Sequence, residues 1–205
     1  MESLAYVLTS GWASGINVYA TILVTGLLGR YGGVEGVPDV LERNAVLIPA
    51  AALFAIEFVA DKIPYVDNIW DAVHTAIRPT LAAVLGALLA GEANDLGEAV
   101  AAVLGGTTAL ASHAAKASLR LAVNASPEPV SNIVLSLAED SVVVAVLLLA
   151  IDHPWWALTV AVVLLVASAS LGVFLIRRIQ QFVHRLRGPP APEPPPGRLR
   201  AGGSE

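Results

Sequence analysis

The sequence predicts an all-α protein: a polytopic transmembrane helix bundle of about six spans, arranged as two inverted three-span repeats with broken first and fourth helices. Three observations predict it. The chain is 56% hydrophobic and only 14% charged, with a mean hydropathy of +0.68, too little charge to cover a soluble domain of this size. Two interrupted apolar segments recur about 96 positions apart: Glu2 to Asn17 and Glu98 to His113, in which Leu8 meets Leu104 and Asn17 meets His113. Interrupted hydrophobic segments in matching places of two halves mark a binding site between inverted repeats. The third observation is the placement of Lys and Arg along the chain, treated below.

The expected spans are 2–29, 44–63, 72–91, 97–123, 131–151 and 155–177, long enough to cross or nearly cross a bilayer. The first should break near Ser10–Gly15, where Gly and small polar residues weaken a helix. Ala45 to Ala60 belongs to the second, a Val/Leu/Ala-rich span with Glu57 and Asp61 one turn apart. Pro79 either kinks the third span or begins it as a short helix. Before it, Val66, Ile69, Trp70, Val73 and Ile77 fall on one face, with Asp67, Asn68, Asp71 and His74 opposite. That pattern fits a cytoplasmic helix lying in the interface. Ala82, Gly86 and Ala90, with Ala83 and Ala87 beside them, make a small-residue ridge for close packing. The fourth span should break near Gly105–Thr108. The fifth carries Asn132, Ser136 and Glu139 on one face with Asp140 beside it, and the sixth opens on Trp155 and Trp156, directly after Pro154, which suit an aromatic belt.

Residues 1–187 therefore read as the membrane bundle, 1–95 as the first repeat and 96–187 as the second. Residues 188–205, rich in Pro, Gly and Arg, read as a disordered cytoplasmic tail. Counted through six spans, ten of the twelve basic residues fall on one side and only Arg30 and Arg43 on the other. The positive-inside rule then puts both termini in the cytoplasm. An N-terminus with Glu2 and no basic run argues against a cleaved signal peptide. The absence of Cys excludes disulfides, thiolate metal sites and a thiol nucleophile.

The run from Glu57 through Pro79, the stretch Gly105-Gly-Thr-Thr-Ala-Leu-Ala-Ser-His-Ala-Ala-Lys-Ala-Ser-Leu-Arg120, and Ser136-Leu-Ala-Glu-Asp140 together resemble a bacterial integral-membrane family known as domain of unknown function 4126. The resemblance covers roughly residues 3–176. It implies a multi-pass protein of the bacterial cytoplasmic membrane and brings no activity or cofactor with it.

The residues that could carry chemistry are polar groups inside apolar spans. Ser10, Ser14, Asn17, Thr21 and Thr25 lie within about 80° of each other on the first span, and His113, Lys116 and Arg120 within about 60° on the fourth. Counting about 1.5 Å per residue from the helix ends matches Asp61 with Arg120, Glu57 with Lys116, and His113 with Glu139 or Asp140 in depth. Such pairing offsets the cost of an unpaired intramembrane charge, about 2.5–3.5 kcal/mol at a helix centre on insertion scales.

The expected site therefore has a substrate-binding set, Ser14, Asn17, Thr107, Thr108, His113 and Lys116. Its coupling or ion-pair set is Glu57, Asp61, Arg120, Glu139 and Asp140. Each has a plain alternative: snorkelling for Asp61 and Arg120, helix–helix hydrogen bonding for the Ser/Thr/Asn stripe, a purely structural ion-pair network for the acids.

The leading functional expectation is a small transporter or channel with a central polar site and proton or sodium coupling. His113 and Lys116 favour an anionic or zwitterionic substrate. An intramembrane lipid-modifying enzyme and a non-catalytic scaffold are the alternatives; one His beside carboxylates is a poor zinc set. Expected partners are membrane lipids and a small ion or polar molecule, with homo-oligomers allowed and no nucleic acid. No cofactor or metal is expected.

Overall fold

The computed structural model describes residues 2–91, 95–124 and 129–186. The expected tail, 188–205, lies outside them. Six helices follow one another: α1 (Glu2–Gly32), α2 (Asn44–Ala60), α3 (Pro64–Leu89), α4 (Asp95–Asn124), α5 (Pro129–Asp152) and α6 (Pro154–Leu186), and the described residues contain no strand. Four helical stretches, Ser3–Gly32, Tyr65–Leu89, Val130–Asp152 and Pro154–Phe182, are long and apolar enough to cross a membrane, and α2 is a shorter apolar helix.

The bundle is apolar outside and charged inside. Ile48, Val59, Ile69, Val103, Val134, Val163 and Phe174 are exposed, whereas Glu57, Arg78 and Arg120 are fully buried. An apolar exterior over a charged interior suits lipid as the surrounding solvent. α3 illustrates the inversion. It is one helix running from Pro64 through Pro79, with Asp67, Asp71 and His74 buried and Val66, Ile69 and Val73 exposed. The interfacial helix expected from this amphipathic pattern is therefore corrected: its polar face turns into the protein and its apolar face outward.

α1 departs most from expectation. Helical geometry fails at one residue, Asn17 (φ −151°, ψ 97°), two positions beyond the expected break. Ser3, Tyr6, Thr9 and Ser10 then share the wall of one cavity of about 310 Å³ with Thr25, Leu28 and Val34 to Val37. A straight helix would hold Ser3 about 37 Å from Leu28, so the chain turns back at Asn17. α1 is a re-entrant hairpin, its first leg entering and its second leg returning to the same face. Residues of both legs, Trp12 and Ala13 on one and Ala20 on the other, join the same core with Val143, Val146, Leu147 and Ala150 of α5. The N-terminal end of α1 lies beside the α5 terminus, where the Tyr6 hydroxyl donates to the Ile151 carbonyl at 3.1 Å.

Two expectations are not confirmed. The six-span count with both termini on one face is not, because α1 begins on the face where α3 and α5 end. The inverted relation of α1 to α4 is not either. The first leg of α1 packs parallel to α4: Val7 near Gly86 and Ala101, Gly11 near Gly105 and Thr108, Gly15 near Ala109 and Ser112, with numbers rising together. Inverted copies would run antiparallel. The small-residue likeness of the two segments is the likeness of two faces of one close interface.

The expected break in α4 is also absent, since α4 is helical throughout its described length. Its glycines serve packing. A Cβ on Gly105 would stand 2.6 Å from the Ala82 carbonyl oxygen, and one on Gly11 2.8 Å from that of Gly105, so α1, α3 and α4 meet backbone to backbone. Thr107 and Thr108 stay helical by donating to the Val103 and Leu104 carbonyls and to the Leu104 carbonyl, respectively.

Candidate functional site

A helix broken inside an apolar protein leaves unpaired carbonyls on one side and unpaired N–H groups on the other. Asn17 answers the second need. Its extended backbone makes it the N-cap of the returning leg: its Oδ1 accepts from the Ala20 N–H at 2.9 Å, and the Thr21 hydroxyl donates to its carbonyl at 2.9 Å. Cations from other helices answer the first. Arg78 Nη1 donates to the Gly15 carbonyl at 3.3 Å and Lys116 Nζ to the Ile16 carbonyl at 3.0 Å. Positive side chains thus sit where the first leg's C-terminal end concentrates partial negative charge. Asn17 also donates from Nδ2 to Asp140 Oδ1 at 3.0 Å, tying the hairpin tip to α5.

The same cations organise a continuous ion-pair network. Arg78 reaches Glu57 at 2.7 Å and Asp71 at 3.2 Å. Lys116 reaches Asp61 at 2.9 Å, with Glu139 at 3.7 Å and Glu57 at 3.8 Å. Arg120 meets Glu139 at 2.5 Å, Asp61 at 3.2 Å and Asp67 at 3.5 Å. Asn132 accepts from Arg120 at 3.0 Å and donates to the Asp61 carbonyl at 2.9 Å. Three fixed cations therefore face six carboxylates, Asp140 included. Glu57 Oε2, Asp61 Oδ1, Asp71 Oδ1 and Asp140 Oδ2 are buried without a hydrogen-bond partner, as are the Ser14 and Ser136 hydroxyls.

His113 takes a defined tautomer. Arg78 can only donate, so His113 Nδ1, 2.6 Å from Arg78 Nη1, accepts. Its proton sits on Nε2 and is donated to the Thr75 hydroxyl at 3.1 Å, which donates in turn to the Asp71 carbonyl at 3.0 Å. A second chain joins Tyr19 to His74. His74 Nδ1 donates to the Trp70 carbonyl at 2.7 Å, and His74 Nε2 accepts from the Tyr19 hydroxyl at 3.0 Å.

The geometry brings together Asn17, Glu57, Asp61, His113, Lys116, Arg120, Glu139 and Asp140 of the expected residues, and buries Ser14 on the first leg. It separates others. His113 pairs with Arg78 and Thr75 in place of the expected Glu139 or Asp140. Thr107 is on the exposed side of α4 and Thr108 bonds within its own helix, so neither enters the network. Lys116 is engaged by carboxylates and a carbonyl, which weakens the expectation of an anionic substrate. Arg78, Asp67, Asp71 and His74 are members that sequence reasoning assigned elsewhere. Their i, i+4, i+7, i+11 spacing on one face was the available signal.

A family model described as domain of unknown function (DUF4126) matches residues 4–173. The chain belongs to the DUF4126 family. No curated protein and no solved structure matches it. Every network residue, from Asn17 to Asp140, lies within the span matched to DUF4126.

Proposed function

We propose that this DUF4126 protein is a small membrane transporter or channel for an ion or small polar molecule, working at the tip of the re-entrant hairpin. The observation that carries the reading is the break at Asn17, whose two half-helix ends are held by a buried network of three cations and six carboxylates. Discontinuous helices at membrane depth, with half-helix ends turned toward polar groups, are the architecture of ion and substrate sites. Ser10 and Thr25 stand in the wall of the cavity above the tip. Ser14 and Thr21 are buried below them, so the hydroxyl stripe leads from cavity to network. The excess of carboxylates suits proton or sodium coupling, because uncompensated negative charge in this interior requires a proton or cation.

Orientation follows the remaining basic residues. With Arg78, Lys116 and Arg120 buried, seven basic residues, Lys62 and six from Arg177 onward, mark one face against Arg30 and Arg43 on the other. In this reading five helices cross, the C-terminal end of α6 is cytoplasmic in a bacterial inner membrane, and the N-terminal end of α1 faces outward.

The test is flux. Purified wild type and Asp140→Asn, reconstituted in liposomes at matched amounts, are given proton, sodium, potassium and chloride gradients in turn. Flux above protein-free liposomes that falls in the folded variant supports the reading. Wild-type liposomes indistinguishable from protein-free ones for all these ions and for a panel of small polar solutes would favour a structural scaffold.

A further inference from the structure

The cavity at the outer end of the hairpin has features that the network does not explain. It encloses about 310 Å³, within the size range of small-ligand sites. Hydroxyl-bearing Thr9, Ser10 and Thr25 line it, and Glu35 is its charged residue; no Lys or Arg is among its described lining residues. Gly91 and Ile151 bring in the C-terminal ends of α3 and α5. Helix C-termini carry partial negative charge and the N-terminal end of α1, at Ser3, partial positive charge, so two C-terminal ends and the Glu35 carboxylate outweigh one N-terminal end and leave the described lining net negative. Thr9 is fully buried, and its hydroxyl, at the cavity wall, has no hydrogen-bond partner.

We propose that this cavity is a vestibule that binds small monovalent cations, inorganic or ammonium-type, ahead of the hairpin tip. Carboxylate, helix C-terminal ends and hydroxyl oxygens are the hard oxygen donors such ions accept, and a net negative cleft raises the local concentration of its counter-ions. The proposal deepens the transport reading above by naming the permeant class, and only its consequence for flux rests on that reading. The binding preference can be measured without any transport.

The chain contains no Cys, so single thiols report cleanly. Thr25→Cys and, separately, Ser10→Cys are reconstituted as full-length protein. Each is reacted with the cationic trimethylammonium-ethyl methanethiosulfonate and the anionic sulfonatoethyl methanethiosulfonate, and rates are normalised to those with a free thiol. The expected result is a cationic preference of about tenfold or more, reduced by Glu35→Gln and competed by tetramethylammonium chloride. Equal normalised rates, an anionic preference, or failure of both reagents to reach either thiol would overturn the proposal. Cationic preference without flux in the liposome assay would sustain the vestibule and sink the transporter.

Discussion

Asn17 Nδ2 donates to Asp140 Oδ1 at 3.0 Å while Asn17 Oδ1 accepts from the Ala20 N–H, so one amide both caps the returning leg and fixes the hairpin tip to α5. Asn17→Ala removes both bonds and should cost about 1–3 kcal/mol. Asn17→Asp keeps the cap acceptor but sets a second carboxylate against Asp140, so it should be no more stable than Asn17→Ala. Thermal unfolding in detergent or bicelles ranks the three proteins. An Asn17→Asp protein as stable as wild type would contradict the assigned amide contact.

Packing at the first leg gives a second expectation. A Cβ on Gly15 would collide with the Ser112 hydroxyl and the Ala109 carbonyl, whereas one on Gly32 meets only ordinary contacts at 3.5 Å or more. Gly15→Ala should therefore destabilise by about 3 kcal/mol or more. Gly32→Ala should be neutral or stabilising by up to about 1 kcal/mol. Comparable stability of the two variants would mean that the first leg does not lie against α4 as described.

The ion pairs rank by distance. Glu57 and Arg78 stand 2.7 Å apart and Asp61 and Lys116 2.9 Å, against 3.8 Å for Glu57 and Lys116. Single truncations to Ala should each cost about 3–5 kcal/mol, because the partner is left buried and uncompensated. Double-mutant cycles should show larger coupling for the first two pairs than for the third. Stability cycles in which Glu57 couples most strongly to Lys116 would reverse the assignment.

Topology is testable by accessibility. Because the chain lacks Cys, single thiols placed at Ser3, Gly33 and Asp152 should label from one side of the membrane, and thiols at Asn68 and Arg178 from the other. Labelling of Ser3→Cys from the Asn68 side would restore a crossing first helix and remove the re-entrant hairpin.

Much of the bundle was legible in the sequence. The expected span starts at 44, 131 and 155 fall within two residues of the starts of α2, α5 and α6, and polar residues inside such apolar stretches had to turn inward, since lipid gives them no partner. The i, i+4 spacing of Glu57 with Asp61, and of Lys116 with Arg120, placed each pair on one helix face. All-helical class, membrane character and the identity of most network residues follow from such local quantities of composition and periodicity.

Tertiary structure decided what local quantities leave open. Asp67, Asp71, His74 and Arg78 form an amphipathic face whether they turn to water or inward; α4, carrying Arg120, Lys116 and His113, settles which. The same holds at Asn17. A single residue leaves the helix there because Arg78 and Lys116, 61 and 99 positions away in sequence, satisfy the Gly15 and Ile16 carbonyls that the break exposes. The sequence determined that a polar tip lies inside an apolar protein. Only the packed chain, where distant cations replace lost helical hydrogen bonds, decided that the first helix turns back on itself at Asn17.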